Sequence, residues 1–189
     1  MNTSLIDTIG NTPLVEVKIH ENPQVRILAK LEYMNPGGSI KDRAALWMIK
    51  QAEEQGVLTP DKTVIEATSG NTGIGLAMVC SVKGYKLVLT MSESVSLERR
   101  KILEARGAKI ILTPSRLGSD GAIEEAYRLT RENPEMYFNV DQYNNEANWM
   151  AHYHGTAEEI LDQSKGEVSM IVATMGTCGT VMGLSRKLK

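Results

Sequence analysis

Apolar and polar positions along the chain fall into two alternating patterns. Short apolar runs, mostly rich in branched or aromatic side chains, occur at residues 64–67 (VIEA), 86–90 (KLVLT), 109–113 (KIILT), 136–140 (MYFNV) and 170–173 (MIVA), and each has the length of a β-strand. Longer stretches with helical patterning lie between and around them, at 41–55, 73–83, 96–106, 119–131, 146–163 and 180–187. Gly56, Gly84 and Gly107 each follow such a stretch, where the left-handed conformation that ends a helix costs glycine little. Strands of continuous apolar character joined by helices predict a doubly wound α/β fold, with a parallel sheet covered on both faces. Ligands of such sheets sit beyond the carboxyl ends of the strands, so the loops there are where chemistry is expected. Residues before Glu32 form a separate piece: 14–17 and 26–31 read as two short strands around the polar turn His20-Glu21-Asn22-Pro23.

Composition narrows the function classes. With 21 basic and 23 acidic residues among 189, the net charge of −2 gives no broad attraction for nucleic acid or anionic lipid. No apolar run approaches the roughly 20 residues that cross a bilayer, and the opening MNTSLIDTIG lacks the basic-then-apolar pattern of a leader. Cys80 and Cys178 lie far apart without CxxC spacing, which points to neither a disulfide framework nor a zinc motif, so a cytoplasmic location is the expectation. Cys80, within IGLAMVC, reads as a buried structural thiol, and the 10 methionines read mostly as core filling.

Three loops carry the candidate chemistry. In Asn35-Pro36-Gly37-Gly38-Ser39-Ile40-Lys41-Asp42-Arg43, which leads into an Ala-rich helix, Pro and paired Gly fix a turn, Ser39 suits an N-cap, and Lys41 falls in the first helical turn. The positive end of the helix dipole disfavours an ammonium there, which helps form a neutral amine nucleophile; an ordinary exposed lysine is the alternative. The second loop, Glu66-Ala67-Thr68-Ser69-Gly70-Asn71-Thr72-Gly73-Ile74-Gly75, follows a strand and opens a helix, so freed backbone N–H groups and the Thr68, Ser69 and Thr72 hydroxyls suit a carboxylate or phosphate. A turn needed only for close helix–sheet packing is the alternative, and the spacing Gly70, Gly73, Gly75 is not the GxGxxG of a dinucleotide site. The third, Met175-Gly176-Thr177-Cys178-Gly179-Thr180, again lies between a strand and a helix and favours phosphate; without GK[ST] it is no Walker motif. Two anion-binding loops and a lysine at a helix start fit one small phosphorylated aldehyde, pyridoxal phosphate.

The segments PGGSIKDR (36–43), EATSGNTGIGLAM (66–78), ERRKILEARGAKIILT (98–113) and MGTCGT (175–180) closely resemble the cysteine synthase and cystathionine β-synthase family of fold-type II pyridoxal-phosphate enzymes, which share the tryptophan synthase β-like fold. The match runs in family order along essentially the whole chain and leans toward cysteine synthase through DQYNN (141–145) and AHY (151–153). The resemblance implies that Lys41 is the Schiff-base lysine and acid/base, and that Asn71 hydrogen-bonds the cofactor's ring hydroxyl. It implies further that Thr68, Ser69, Thr72 and Gln142 hold the substrate carboxylate, and that Gly176, Thr177, Cys178, Gly179 and Thr180 form the phosphate loop. The implied reaction is β-replacement, in which O-acetylserine and sulfide or another thiol donor give cysteine and acetate. Family members are typically homodimers. On the family's architecture, residues 35–145 form a smaller mobile domain, and 1–34 with 146–189 belong to the larger one.

Departures from the family pattern shape the expectations too. Family members continue with a substantial segment beyond the position of Lys189, which carries remaining strands of the larger domain and the Ser or Thr that meets the pyridine nitrogen. The larger domain is therefore expected to be incomplete, and a non-catalytic ligand-binding paralogue stands as an alternative, as does a cystathionine-forming or eliminating enzyme. Cys178 stands where Gly or Thr is familiar, and Thr156-Ala157-Glu158 where the family has Thr-Gly-Pro. His152 and His154 are two residues apart on a predicted helix, hence on different faces, and no metal site is expected. Arg99-Arg100-Lys101, opposed by Glu93, Glu98 and Glu104, reads as a solvated helix face.

Overall fold

The computed structural model describes residues 4–19, 21–22 and 24–189; His20 and Pro23 of the expected hairpin turn lie outside the described residues. The hairpin strands themselves form, β1 (Leu14–Glu16) pairing antiparallel with β2 (Leu28–Lys30), Val15 opposite Ala29. From there the chain alternates helix and strand: α1 (Lys41–Glu54), β3 (Thr63–Ala67), α2 (Asn71–Lys83), β4 (Lys86–Ser92), α3 (Leu97–Ala105), β5 (Ala108–Thr113), α4 (Gly118–Glu132) and β6 (Tyr137–Asn139). The four strands make one parallel sheet in the order β5-β4-β3-β6.

Alternation along the strands sends side chains to both faces, and both are covered. Val64, Leu87, Leu89 and Met91 pack with Leu76 and Val79 of α2, Ile49 of α1 and Leu103 of α3. Ile65 and Val88, with Ile111 and Tyr137, pack under Ala126 and Leu129 of α4. Each fully buried aliphatic side chain stabilises by about 1.5–3 kcal/mol, so β4, buried on both faces from Leu87 to Ser92 with its Thr90 hydroxyl donating to the Ala122 carbonyl (2.8 Å), belongs at the centre of such a sheet. Gly56, Gly84 and Gly107 adopt φ of +70°, +81° and +90°, ending their helices as the sequence predicts.

Three expectations fail. Residues 170–173 are not a strand, because no neighbouring strand among the described residues offers hydrogen bonds, and Met170 and Val172 are 81% and 91% exposed. The single helix expected at 146–163 is broken into α5 (Glu146–Ala151), a π-helical turn (His152–Thr156) and α6 (Ala157–Ser164). Methionines are not mostly core: Met48, Met78 and Met91 are buried, whereas Met34, Met136, Met170, Met175 and Met182 are exposed.

A buried ionic cluster fastens the hairpin to the rest. Arg43 in α1 donates to both carboxylate oxygens of Glu32 (2.7 and 2.9 Å) and of Glu159 in α6 (2.6 and 2.8 Å). Lys30 of β2 adds contacts to Glu159 (2.7 Å) and to the Thr12 carbonyl (2.6 Å). Burial raises the Glu159 pKa, but the hydrogen bonds from Arg43, Lys30 and the Asn11 amide outweigh it and bring it down to about 2. Both acids stay ionised in a site that would otherwise neutralise them.

Candidate functional site

The last helix, α7 (Gly179–Lys187), settles against α5 and the π turn through two glycines on one of its faces. A Cβ on Gly179 would lie 2.2 Å from Asn148 Oδ1, and one on Gly183 would lie 2.5 Å from the Trp149 carbonyl. This close approach carries the preceding loop, with Gly176, Thr177 and Cys178, over the start of α1. There the half-buried Lys41 donates from Nζ to Thr177 Oγ1 at 3.2 Å. Burial lowers the Lys41 pKa, and the helix start acts in the same direction, so the neutral nucleophilic amine becomes more accessible. The N-cap of α1 is Ile40, not the expected Ser39, whose hydroxyl lies one residue earlier and accepts from the Lys41 amide at 3.2 Å.

Asp42 lies beneath this lysine. Its Oδ2 accepts from the Gly37 amide at 2.5 Å, while Oδ1 is buried with no hydrogen-bond partner among the described residues. Burial pushes the Asp42 pKa up to about 6. The carboxylate fits only because Gly37 and Gly75 lack side chains: their Cβ atoms would stand 2.3 and 3.2 Å from Oδ1.

From Thr177 a chain of hydrogen bonds runs to the second loop. Asn148 Nδ2 donates to Thr177 Oγ1 (2.9 Å) and to the Gln142 carbonyl (2.7 Å). The Gln142 side chain accepts at Oε1 from the Thr72 hydroxyl (2.7 Å) and donates from Nε2 to Glu66 (3.4 Å), while its amide donates to the other Glu66 oxygen (3.1 Å). Thr72 opens α2 after β3, and Gln142 follows β6 on the neighbouring strand. The crevice lies where connections leave the sheet in opposite directions, the usual ligand position in doubly wound sheets. Burial pushes the Glu66 pKa up to about 7.

The fold thus joins Lys41, Thr177, Gln142 and Thr72 in one network. Thr68 accepts from the Gly70 amide (3.2 Å) and shapes its own loop; Ser69 and Asn71 border α2 without a hydrogen bond to the network. Thr180 Oγ1 lies 3.4 Å from His152 Nε2, and His152 Nδ1 is 2.9 Å from Thr156 Oγ1. Burial, with the charges of Arg43 and Lys41, lowers the His152 pKa to about 4, so a neutral imidazole supports Thr180. His154 instead stacks on Trp47, and the two histidines serve separate environments. Cys178 is exposed at φ +62°, capping α7. Asn148 was missed by the sequence reading, and Glu66 and Asp42 lay within its loops without a role. His152 entered it within the AHY motif and as half of a rejected metal pair, with no role at the site.

Residues 5–189 match the family model described as pyridoxal-phosphate dependent enzyme. The chain belongs to this family. It is 50% identical over 184 residues to a cysteine synthase of a Flavobacterium species, covering 97% of this chain and 60% of the relative. It is 47% identical over 191 residues to the cystathionine beta-synthase of Rattus norvegicus, covering 98% of this chain and 34% of that protein. The crystal structure of a cysteine synthase from Entamoeba histolytica superposes with a TM-score of 0.93 at 44% identity, across 100% of this chain and 57% of that one. The chain therefore spans about 60% or less of these relatives' lengths.

The residues present fit the family's cofactor. A lysine amine of lowered pKa meets a Gly-Thr loop at a helix start, suited to an aldehyde beside a phosphate. A buried Asn148 Oδ1 without a partner faces Gly179 in that loop.

Proposed function

We propose that the protein is a pyridoxal-phosphate enzyme of β-replacement, converting an O-activated serine such as O-acetylserine, with sulfide or a thiol donor, into cysteine and acetate. The observation that carries the reading is the 3.2 Å contact of Lys41 with Thr177, in one network with Thr72 and Gln142. Gly176, Thr177, Cys178, Gly179 and Thr180 hold the phosphate, largely through backbone N–H groups at the start of α7. Asn71 holds the ring hydroxyl. Bound there, the cofactor supplies an electron sink for charge developing at the substrate Cα. Lys41 anchors the aldehyde and moves the Cα proton at Nζ, a role that its lowered pKa supports. Thr68, Ser69, Thr72 and Gln142 bind the substrate carboxylate and so fix which Cα bond faces Lys41. Residues 35–145, which contain the whole parallel sheet, act as a mobile lobe against 1–34 and 146–189. Both cysteines are free thiols, in keeping with work in the reducing cytoplasm, and the family resemblance supports a homodimer.

Borohydride reduction of the protein loaded with pyridoxal phosphate, followed by peptide mapping, tests the core claim: the label belongs on Lys41, and a label elsewhere or none at all removes the reading. The 47% identity to a cystathionine beta-synthase supports a second substrate pair. Product analysis with O-acetylserine plus sulfide against serine plus homocysteine separates the two.

A further inference from the structure

Thr72 has one hydroxyl hydrogen, and in the structure it is spent on Gln142 Oε1 at 2.7 Å. In that state Thr72 has no hydrogen for an anion, and the Gln142 carboxamide turns its acceptor toward the loop that needs donors. The arrangement is imposed from behind: Glu66 offers only acceptors when ionised, so it draws Gln142 Nε2 to itself. We propose that Glu66 is a positioning residue whose protonation reverses the Gln142 carboxamide and converts the Thr72 side of the crevice from an acceptor to a donor surface. With a proton on Oε1, Glu66 donates to Gln142 Oε1. Nε2 then donates to Thr72 Oγ1 and keeps a second hydrogen, and the Thr72 hydroxyl hydrogen is released toward the crevice. The Gln142 and Ala67 amides still bond the Glu66 oxygens. Carboxylate binding is thereby coupled to the uptake of one proton.

The surroundings favour this coupling. Glu66, Gln142 and Thr72 are buried, and no lysine, arginine or histidine forms an ion pair with Glu66 among the described residues. The titratable groups facing it are Asp141 after β6, Tyr127 of α4 and Tyr143, and its partner in β4 is Leu89. A substrate carboxylate brought to the Thr72 side would add to the negative charge of Glu66, which no ion pair balances, and one proton on Glu66 cancels that charge. Its elevated pKa keeps that proton within reach near neutrality.

The inference rests on Thr72 and Gln142 being the substrate-carboxylate site. Calorimetric titration of the cofactor-loaded protein with acetate, in buffers of different ionisation enthalpy, measures the protons taken up. At pH 8 uptake should approach one, and acetate affinity should fall about tenfold per pH unit above the Glu66 titration. Glu66→Gln donates permanently, so it should bind acetate with no slope and no uptake. Where Thr72→Ala weakens acetate binding, absence of proton uptake in the unaltered protein, or a slope that survives in Glu66→Gln, overturns the proposal. Side-chain 15N resonances of Gln142, followed against pH without ligand, give an independent reading: they should shift with the Glu66 carboxyl carbon, and failure to do so also overturns it. If those resonances switch but Thr72→Ala leaves acetate affinity unchanged, the carboxylate site lies elsewhere and the Glu66 switch still stands.

Discussion

The two hydrogens of Asn148 Nδ2 are divided between the Gln142 carbonyl and Thr177 Oγ1, so a single buried amide sets the distance between two loops. Asn148→Ala leaves those two acceptors without it, at about 1–3 kcal/mol of stability, and frees Thr177 to rotate. Affinity for pyridoxal phosphate, measured by absorbance titration, should drop at least about tenfold, since that needs only about 1.4 kcal/mol; an unchanged affinity would show that Thr177 is held by Lys41 alone. Asp42 makes a different kind of prediction. Its folded-state pKa of about 6 exceeds the ordinary 3.8, so the folded protein keeps a proton that the unfolded chain has released between those values. Stability therefore falls as pH rises through that window, by roughly 3 kcal/mol in all, and Glu66 adds a slope of the same sign toward pH 7. Asp42→Asn should flatten the Asp42 share when denaturant unfolding is compared at pH 4 and pH 7, and an undiminished slope counts against a buried, protonatable Asp42. Lys41 and the loop residues were legible in the sequence because adjacent residues write their motifs. Asn148 and Glu66 were not, because each acquires its role from partners that only folding supplies, Glu66 from Gln142 at a separation of 76 residues.

Among the elements, those whose pairing lies inside the sheet were read correctly: β3, β4, β5 and β6 each carry apolar side chains for both faces, and the glycines that end the helices follow local steric rules. The expectation at 146–163 failed for a reason that periodicity does not encode. The π turn adds a residue to one helical turn and brings His152 inward to Thr180, a tertiary demand on a sequence with ordinary helical pattern. The partner face is α7, whose seat depends on Gly183 lying against the Trp149 carbonyl and His152 Cβ. A methyl group there would stand 2.5 Å from that carbonyl and 2.6 Å from His152 Cβ, too close for either to absorb without movement of the helix. Gly183→Ala should therefore lift α7 and the Thr177 loop with it. The expected result is a cost of about 1–3 kcal/mol in thermal or denaturant unfolding and a weaker pyridoxal phosphate site, whereas Ala at the exposed Ser185 should change neither. Equal effects at the two positions would mean that helix propensity, rather than close approach, governs the seat.

Across the whole molecule, order is unevenly distributed. The central strands are bonded on both edges and sealed on both faces, whereas no backbone amide from 169 to 177 donates a hydrogen bond among the described residues. That same segment exposes Met170, Val172 and Met175 (78%), and with α7 it walls an apolar groove of about 560 Å³. An apolar run with strand composition and no strand partner leaves its amides to water, and amide exchange is governed by how often a hydrogen bond opens. Hydrogen exchange followed by mass spectrometry should accordingly find 169–176 exchanging close to the rate of an unstructured peptide, while peptides of β3 and β4 exchange only through global unfolding. A hydrophobic dye should bind the groove, and Met170→Lys with Val172→Lys should diminish that binding without altering protection in β3 and β4. Slow exchange at 169–176 in the isolated chain would require a partner for those amides, most simply a second chain pairing along the unused edge, and its dependence on protein concentration would identify that case.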